Sequence, residues 1–124
     1  MNETYEDYLK AIYIISKSNK GGWVSNSEIA SFLNVKPSSV TDMLYKLNQN
    51  NLIQWKPRKS IRMTLRGKSI AQNILRKNKE LVKFFKNVLK IKDDSKVKEL
   101  CCKIEHHITP EVITALENFN LNNE

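Results

Sequence analysis

Residues 25–65, SNSEIASFLNVKPSSVTDMLYKLNQNNLIQWKPRKSIRMTL, decide the fold. Ser25 and Glu28 stand three apart, the spacing at which a hydroxyl and a carboxylate cap a helix start reciprocally, and Ile29, Phe32 and Leu33 give the short helix that follows an inward face. Asn34, Val35 and Lys36 read as a turn, and Pro37 suits the first position of the next helix, where its missing N–H is no loss. Val40, Met43 or Leu44, and Leu47 recur at helical spacing, which leaves Ser38, Ser39, Thr41, Asp42 and Lys46 on the outer side. That helix runs out in Asn48–Asn51. Two extended runs follow, Leu52 to Trp55 and Ile61 to Leu65, joined by Lys56, Pro57, Arg58, Lys59 and Ser60; they predict a β-hairpin with a basic tip.

Outward from this stretch the chain reads as helix. Tyr5, Leu9, Ile12 and Ile14 or Ile15 mark a helix from Glu3 to Ser18, with Thr4 and Asp7 as its capping pair and Lys20, Gly21 and Gly22 as its end. On the other side Thr64 caps a long helix running from Leu65 into Val88 or Leu89, striped by Ile70, Ile74, Leu81, Phe84, Phe85 and Val88. Asp93 or Asp94 starts another, with Val97, Leu100 or Cys101, Ile104 and Ile108 inside. Thr109 and Pro110 start the last, which carries Val112, Ile113, Leu116 and Phe119, and a polar tail from Asn120 is expected to fray. The fold class expected is therefore mainly α with a small β-hairpin wing: a winged helix-turn-helix over residues 1–68 and an all-helical domain over 69–124.

Charge is segregated along the 124 residues. The net charge is +8, yet between Tyr8 and Lys79 the only acids are Glu28 and Asp42. Such a distribution gives one end of the molecule a positive field suited to a polyanion, most simply nucleic acid. A helix entering the major groove by its N-terminal end needs small hydrogen-bonding side chains there, as Ser38, Ser39 and Thr41 are. Lys36, Pro37, Asp42 and Lys46 complete that end and its flank, and Arg58, Lys59 and Arg62, with Lys56, supply phosphate contacts from the hairpin. A carboxylate at Asp42 repels phosphate and accepts from a cytosine amino group, so its expected role is discrimination rather than affinity.

No apolar run approaches the roughly 18 residues of a membrane span, and the first residues lack a basic-then-apolar leader, which predicts a cytoplasmic protein without membrane contact. No Gly-rich phosphate loop and no nucleophile with a paired base is evident, so a binding module with no small organic substrate is expected rather than an enzyme. The two cysteines, Cys101 and Cys102, are adjacent, a poor arrangement for a structural disulfide. Cys101 falls on the apolar face. Cys102, Glu105 and His106 stand at i, i+3 and i+4, so a thiolate, a carboxylate and an imidazole share one helical face. A metal site and a chance grouping of structural side chains both produce that pattern.

Several stretches in one order resemble the diphtheria-toxin-repressor and manganese-transport-regulator family of metal-dependent transcription regulators. They are Glu6-Asp7-Tyr8-Leu9-Lys10-Ala11-Ile12-Tyr13, Ile29-Ala30, Pro37-Ser38-Ser39-Val40-Thr41, Met63-Thr64 leading to Gly67, and Glu105-His106-His107-Ile108. The resemblance implies a homodimeric repressor of metal-homeostasis genes that binds double-stranded operator DNA when a metal ion fixes the DNA-reading unit relative to a metal-binding and dimerisation domain. It adds Asp7 to Cys102, Glu105 and His106 as the metal ligands, one ion per chain, and makes Phe84, Phe85, Val88, Ile104, Ile108, Val112 and Phe119 a dimer face shared with each protomer's own core. Thiolate softness ranks iron(II) before manganese(II). The family's other ligand positions are occupied by Lys10, Asn78, Val82 and Lys98, which argues against a second ion. Lys10 lies one turn from Asp7, and an alternative follows in which its ammonium replaces the metal charge and the regulator works without metal.

Overall fold

Asn2, not Thr4, begins the first helix. In the computed structural model, which describes residues 2–56 and 60–123, the Asn2 side-chain oxygen accepts the Tyr5 backbone N–H at 3.0 Å and opens α1 (Glu3–Ser18). The capping geometry is the same whichever small polar residue supplies it. The described residues form six α-helices and a two-stranded sheet, in two compact units, residues 1–72 and 73–124.

In the first unit α1 buries Tyr8, Leu9, Ala11, Ile12 and Tyr13, a wider stripe than the aliphatic spacing suggested. A short 3₁₀ turn follows, with Gly21 and Gly22 at φ of 71° and 75°. Ser25 and Glu28 form both halves of the capping box at the start of α2 (Asn26–Leu33). That helix ends on Asn34 in the left-handed region, φ 55° and ψ 50°, a conformation asparagine tolerates at a helix end. Phe32, expected inside, is 50% exposed. The buried face of this two-turn helix centres on Ile29 and Ala30, one residue off the reading that favoured the larger side chain.

Helix α3 (Pro37–Gln49) buries Val40, Met43, Leu44 and Leu47, as read. Strands β1 (Ile53–Trp55) and β2 (Ile61–Met63) pair antiparallel, Ile53 opposite Met63 and Trp55 opposite Ile61, so that Ile53, Ile61 and Met63 face inward and Gln54 and Arg62 outward. Val24 adds a bridge to Ile61, exchanging two backbone bonds at 2.8 and 2.7 Å; one residue is too short to leave an alternating pattern. Thr64 ties the wing to the body, donating to the Asn51 carbonyl at 2.8 Å and accepting the Gly67 N–H at 3.1 Å, where it caps α4 (Leu65–Lys83). Gly67 is required there, since an added Cβ would collide with the Leu52 carbonyl oxygen.

The second unit holds the remainder of α4, α5 (Asp94–Ile104) and α6 (Pro110–Asn122). Beyond Lys83 the long helix loosens into a π turn over Phe84–Val88, with Leu89 N–H on the Phe84 carbonyl at 3.1 Å. It stops where Lys90 takes a φ of 60° and Ile91 N–H returns to the Phe85 carbonyl, a left-handed ending with lysine in place of the usual glycine. Asp93 and Thr109 cap α5 and α6. The core gathers on Leu81, Val97 and Cys101, against which Val82, Phe85, Ile104, Ile108 and Leu116 pack. The expected fray after Phe119 does not occur. Helix α6 continues to Asn122, and Asn120 is buried with its amide donating to the Glu80 carbonyl at 2.9 Å. Arg76 and Glu117 join the same two helices by a bidentate pair at 2.6 and 2.9 Å. No helix of the described residues is long and apolar enough to cross a membrane.

Candidate functional site

The first unit presents the predicted reading helix by its N-terminal end. Lys36, Pro37, Ser38, Ser39, Asp42 and Lys46 are all exposed. Lys36 takes the cap position without a side-chain capping bond, and Pro37 has no N–H to satisfy. Two small hydroxyls beside Lys36 therefore stand at the positive end of a helix dipole, while Lys46 lies in the last turn. Thr41 is different. It is half-buried, its hydroxyl donates to the Pro37 carbonyl at 3.1 Å, and it accepts from the Asn26 side-chain amide at 3.0 Å. Asn26 also reaches the Pro37 carbonyl at 3.3 Å. The structure thus turns the Thr41 oxygen towards the joint between α2 and α3, where it fixes their crossing.

The wing is held against α3 by an edge-to-face contact of Tyr45 and Trp55, with centroids 4.6 Å apart. Sequence reading singled out neither ring for this, nor Asn26; a T-shaped pair between a helix and a strand has no signature in one chain. Arg62 is exposed on β2 with its guanidinium 5.3 Å from the Trp23 ring, a cation–π contact that limits its rotamers. Lys56 is exposed at the end of β1, whereas Arg58 and Lys59 lie outside the described residues. Of the two acids in the basic stretch, Glu28 is held below the usual carboxylate range by hydrogen bonds from the Asn19 amide and the Ser25 backbone. It stays ionised as a helix cap.

In the second unit α5 ends at Ile104, and Glu105–His107 tighten into a 3₁₀ turn that places the acid and imidazole at the helix end. The Glu105 side chain is fully buried and that of His106 is 2% exposed; Oε2 of the former stands 3.8 Å from Nε2 of the latter. The other carboxylate oxygen accepts from the Asn78 amide at 2.8 Å, and the same amide lies 3.9 Å from Cys102 Sγ. Asn78, read from sequence as a lost ligand position, therefore orients the carboxylate from α4. Cys101 is buried in the core, where desolvation pushes its thiol up; Cys102 is exposed. Asp7 and Lys10 are half-buried, one turn apart on α1 of the first unit.

The Glu105 carboxylate and the His106 imidazole, 3.8 Å apart, are close enough for both to bind one divalent cation at about 2.1 Å each.

The profile described as iron dependent repressor, N-terminal DNA binding domain matches residues 1–61, and that described as iron dependent repressor, metal binding and dimerisation domain matches residues 64–123. An uncharacterised HTH-type transcriptional regulator of Methanocaldococcus jannaschii is 34% identical over 119 residues, 96% of this chain and 94% of that protein. Among solved structures the manganese regulator SloR superposes with a TM-score of 0.80 at 28% identity, covering 100% of this chain and 56% of its own. IdeR of T. acidophilum superposes at 0.74 and 29% identity, covering 95% and 55%. The chain therefore spans nearly all of the archaeal relative but little more than half of either solved regulator.

Proposed function

Since the chain belongs to the iron-dependent repressor family of transcription regulators, we propose that it is a cytoplasmic, homodimeric, metal-responsive repressor that binds double-stranded operator DNA and has no catalytic role. The observation that carries the metal dependence is the buried Glu105 carboxylate set against the buried His106 imidazole and oriented by Asn78. The proposed ligands are Asp7, Cys102, Glu105 and His106, with one ion per chain. Iron(II) is the expected effector and manganese(II) the second choice, because a thiolate donor favours the softer ion. These residues would hold the ion, which would supply positive charge to the Glu105 carboxylate and the His106 imidazole.

On DNA, Ser38 and Ser39 face base edges, Asp42 selects for a cytosine amino group, and Lys36, Lys46, Arg58, Lys59 and Arg62 neutralise phosphates. Pro37 and Thr41 set the entry of the reading helix, Pro37 by starting it without an orphan N–H and Thr41 through its bond to Asn26. Each phosphate neutralised contributes about 0.9 to the slope of log affinity against log salt. The apolar side chains that α6 leaves open, Val112 at 47% and Phe119 at 43% exposure, support the dimer face.

The test is an anaerobic titration of the reduced, metal-stripped protein with iron(II) and manganese(II), reading ion stoichiometry and operator binding together. One ion per chain that switches on operator affinity, and whose uptake falls in Cys102→Ala and Glu105→Gln, is the expected result. Full operator affinity in chelator, without metal uptake, would overturn the metal dependence and make Lys10→Glu the next variant to measure.

A further inference from the structure

The first unit contains a cavity of about 350 Å³ that shares only Arg62 with the proposed DNA contacts, lined by Tyr13, Ser16 and Lys17 of α1, Gly21 and Gly22, Arg62 and Met63 of β2, and Lys68 and Gln72 of α4. Its volume lies within the range of small-molecule sites, about 300 to 1,000 Å³. Three cations from three separate elements line it, and no acid does. Among the described residues no ion pair joins Lys17, Arg62 or Lys68 to a carboxylate. Lys17 instead sits 4.8 Å from the Tyr13 ring centroid, and Arg62 rests on Trp23. Gathering three like charges around one space costs Coulomb energy that an anion in the space would recover.

The Tyr13 hydroxyl accepts from the Gln72 amide at 3.0 Å, and hydrogen bonds from Lys17 and Gln72, with the charges of Lys17 and Lys68, hold its ionisation below the usual tyrosine value. Gly21 and Gly22 form a wall without side chains, and an added Cβ at Gly22 would meet nothing within 4 Å.

We propose that this cavity binds a phosphoryl group, carried by a small free polyanion. Three cationic side chains lining one recess match a multiply charged phosphoryl group better than a single carboxylate, and a recess between α1, β2 and α4 admits a small free ligand. The same chemistry could be presented by a DNA backbone phosphate, and the test separates the two sources.

Pyrophosphate is titrated calorimetrically into the metal-stripped full chain at low salt, alongside Lys17→Gln, Lys68→Gln and the exposed control Lys79→Gln, with circular dichroism melts to establish that each folds. Saturable binding of one pyrophosphate per chain, weakened at least about tenfold by each cavity variant and unchanged in the control, is the expected result. Absence of pyrophosphate binding, with the salt slope of non-specific duplex binding reduced by about 0.9 in each cavity variant, keeps the phosphoryl chemistry and moves its source to the duplex. Absence of both effects, or equal weakening in Lys79→Gln, overturns the proposal. The metal reading stands or falls separately, because this experiment contains no metal.

Discussion

The two units are built on opposite economies of burial. The first hides a long series of apolar side chains from Tyr8 to Ala71, and none of its described polar side chains is fully buried. The second buries only Ile74, Leu81, Val97, Cys101 and Ile113 among apolar residues, yet it holds all the described buried polar ones, Lys77, Glu80, Glu105 and Asn120. Both leave large apolar side chains exposed, among them Phe32, Tyr45 and Leu65 in the first and Leu100, Val112 and Leu121 in the second, so the difference lies inside. A core of apolar side chains alone is satisfied by packing, whereas buried polar groups need a partner for each polar atom. The difference teaches where a bound ion has something to act on: the proposed metal response belongs to the unit that is polar within.

The comparison breaks most visibly at Leu44. Truncation by Leu44→Ala should cost about 2 to 5 kcal/mol in urea denaturation, because a fully buried leucine leaves a cavity that tight packing does not close. Metal stoichiometry should be unchanged. Were Leu44→Ala nearly neutral, the first unit would not be satisfied by the packing of its apolar core.

Asn78→Ala tests the second unit on its own terms. Loss of the amide that orients Glu105 should weaken iron(II) binding about 10- to 100-fold, the usual effect of removing a partner behind a metal ligand, and should also lower the melting temperature of the metal-free protein, because a buried carboxylate loses a hydrogen bond. Unchanged iron(II) affinity alongside that loss would recast Asn78 as an architectural residue. Asn120→Ala sharpens the same contrast from the structural side. It strands the Glu80 carbonyl bond at a buried position and should cost about 1 to 3 kcal/mol, read by thermal denaturation, without altering metal affinity. The smallest effect is expected at Lys90, where Lys90→Gly relieves a left-handed backbone and should stabilise by about 1 kcal/mol, seen as a small rise in melting temperature. No change there would mean that the extra freedom of glycine in the unfolded chain cancels the relief.

Much of this contrast was legible in the chain. The capping box at Ser25 and Glu28, Pro37 at the start of α3 and Thr109-Pro110 at the start of α6 all act over three or four residues, and local signals of that range survive into the fold. The apolar positions of α3 were legible because thirteen residues give the helical period enough turns to declare itself. In α2, with eight residues, the period is ambiguous by one position, and Phe32 was misplaced inside. The missed features depend on partners distant in sequence. Asn120 reads as surface until Glu80 is found beside it, and Val24 reads as loop until Ile61 pairs with it. At the candidate metal site the residue types and their spacing were readable, but the burial of Glu105 and the turn of Asn78 towards it were not.

The Thr41 hydroxyl, bonded to Pro37 and Asn26, also bears on how such a regulator could be retargeted. Because the joint of the helix-turn-helix is locked from its inner edge, the proposed base-reading residues Ser38, Ser39 and Asp42 form an exchangeable alphabet on a frame that does not depend on them. Libraries that vary those three positions should yield folded proteins with new operator preferences, whereas libraries that include Asn26 or Thr41 would change the angle of presentation along with the letters.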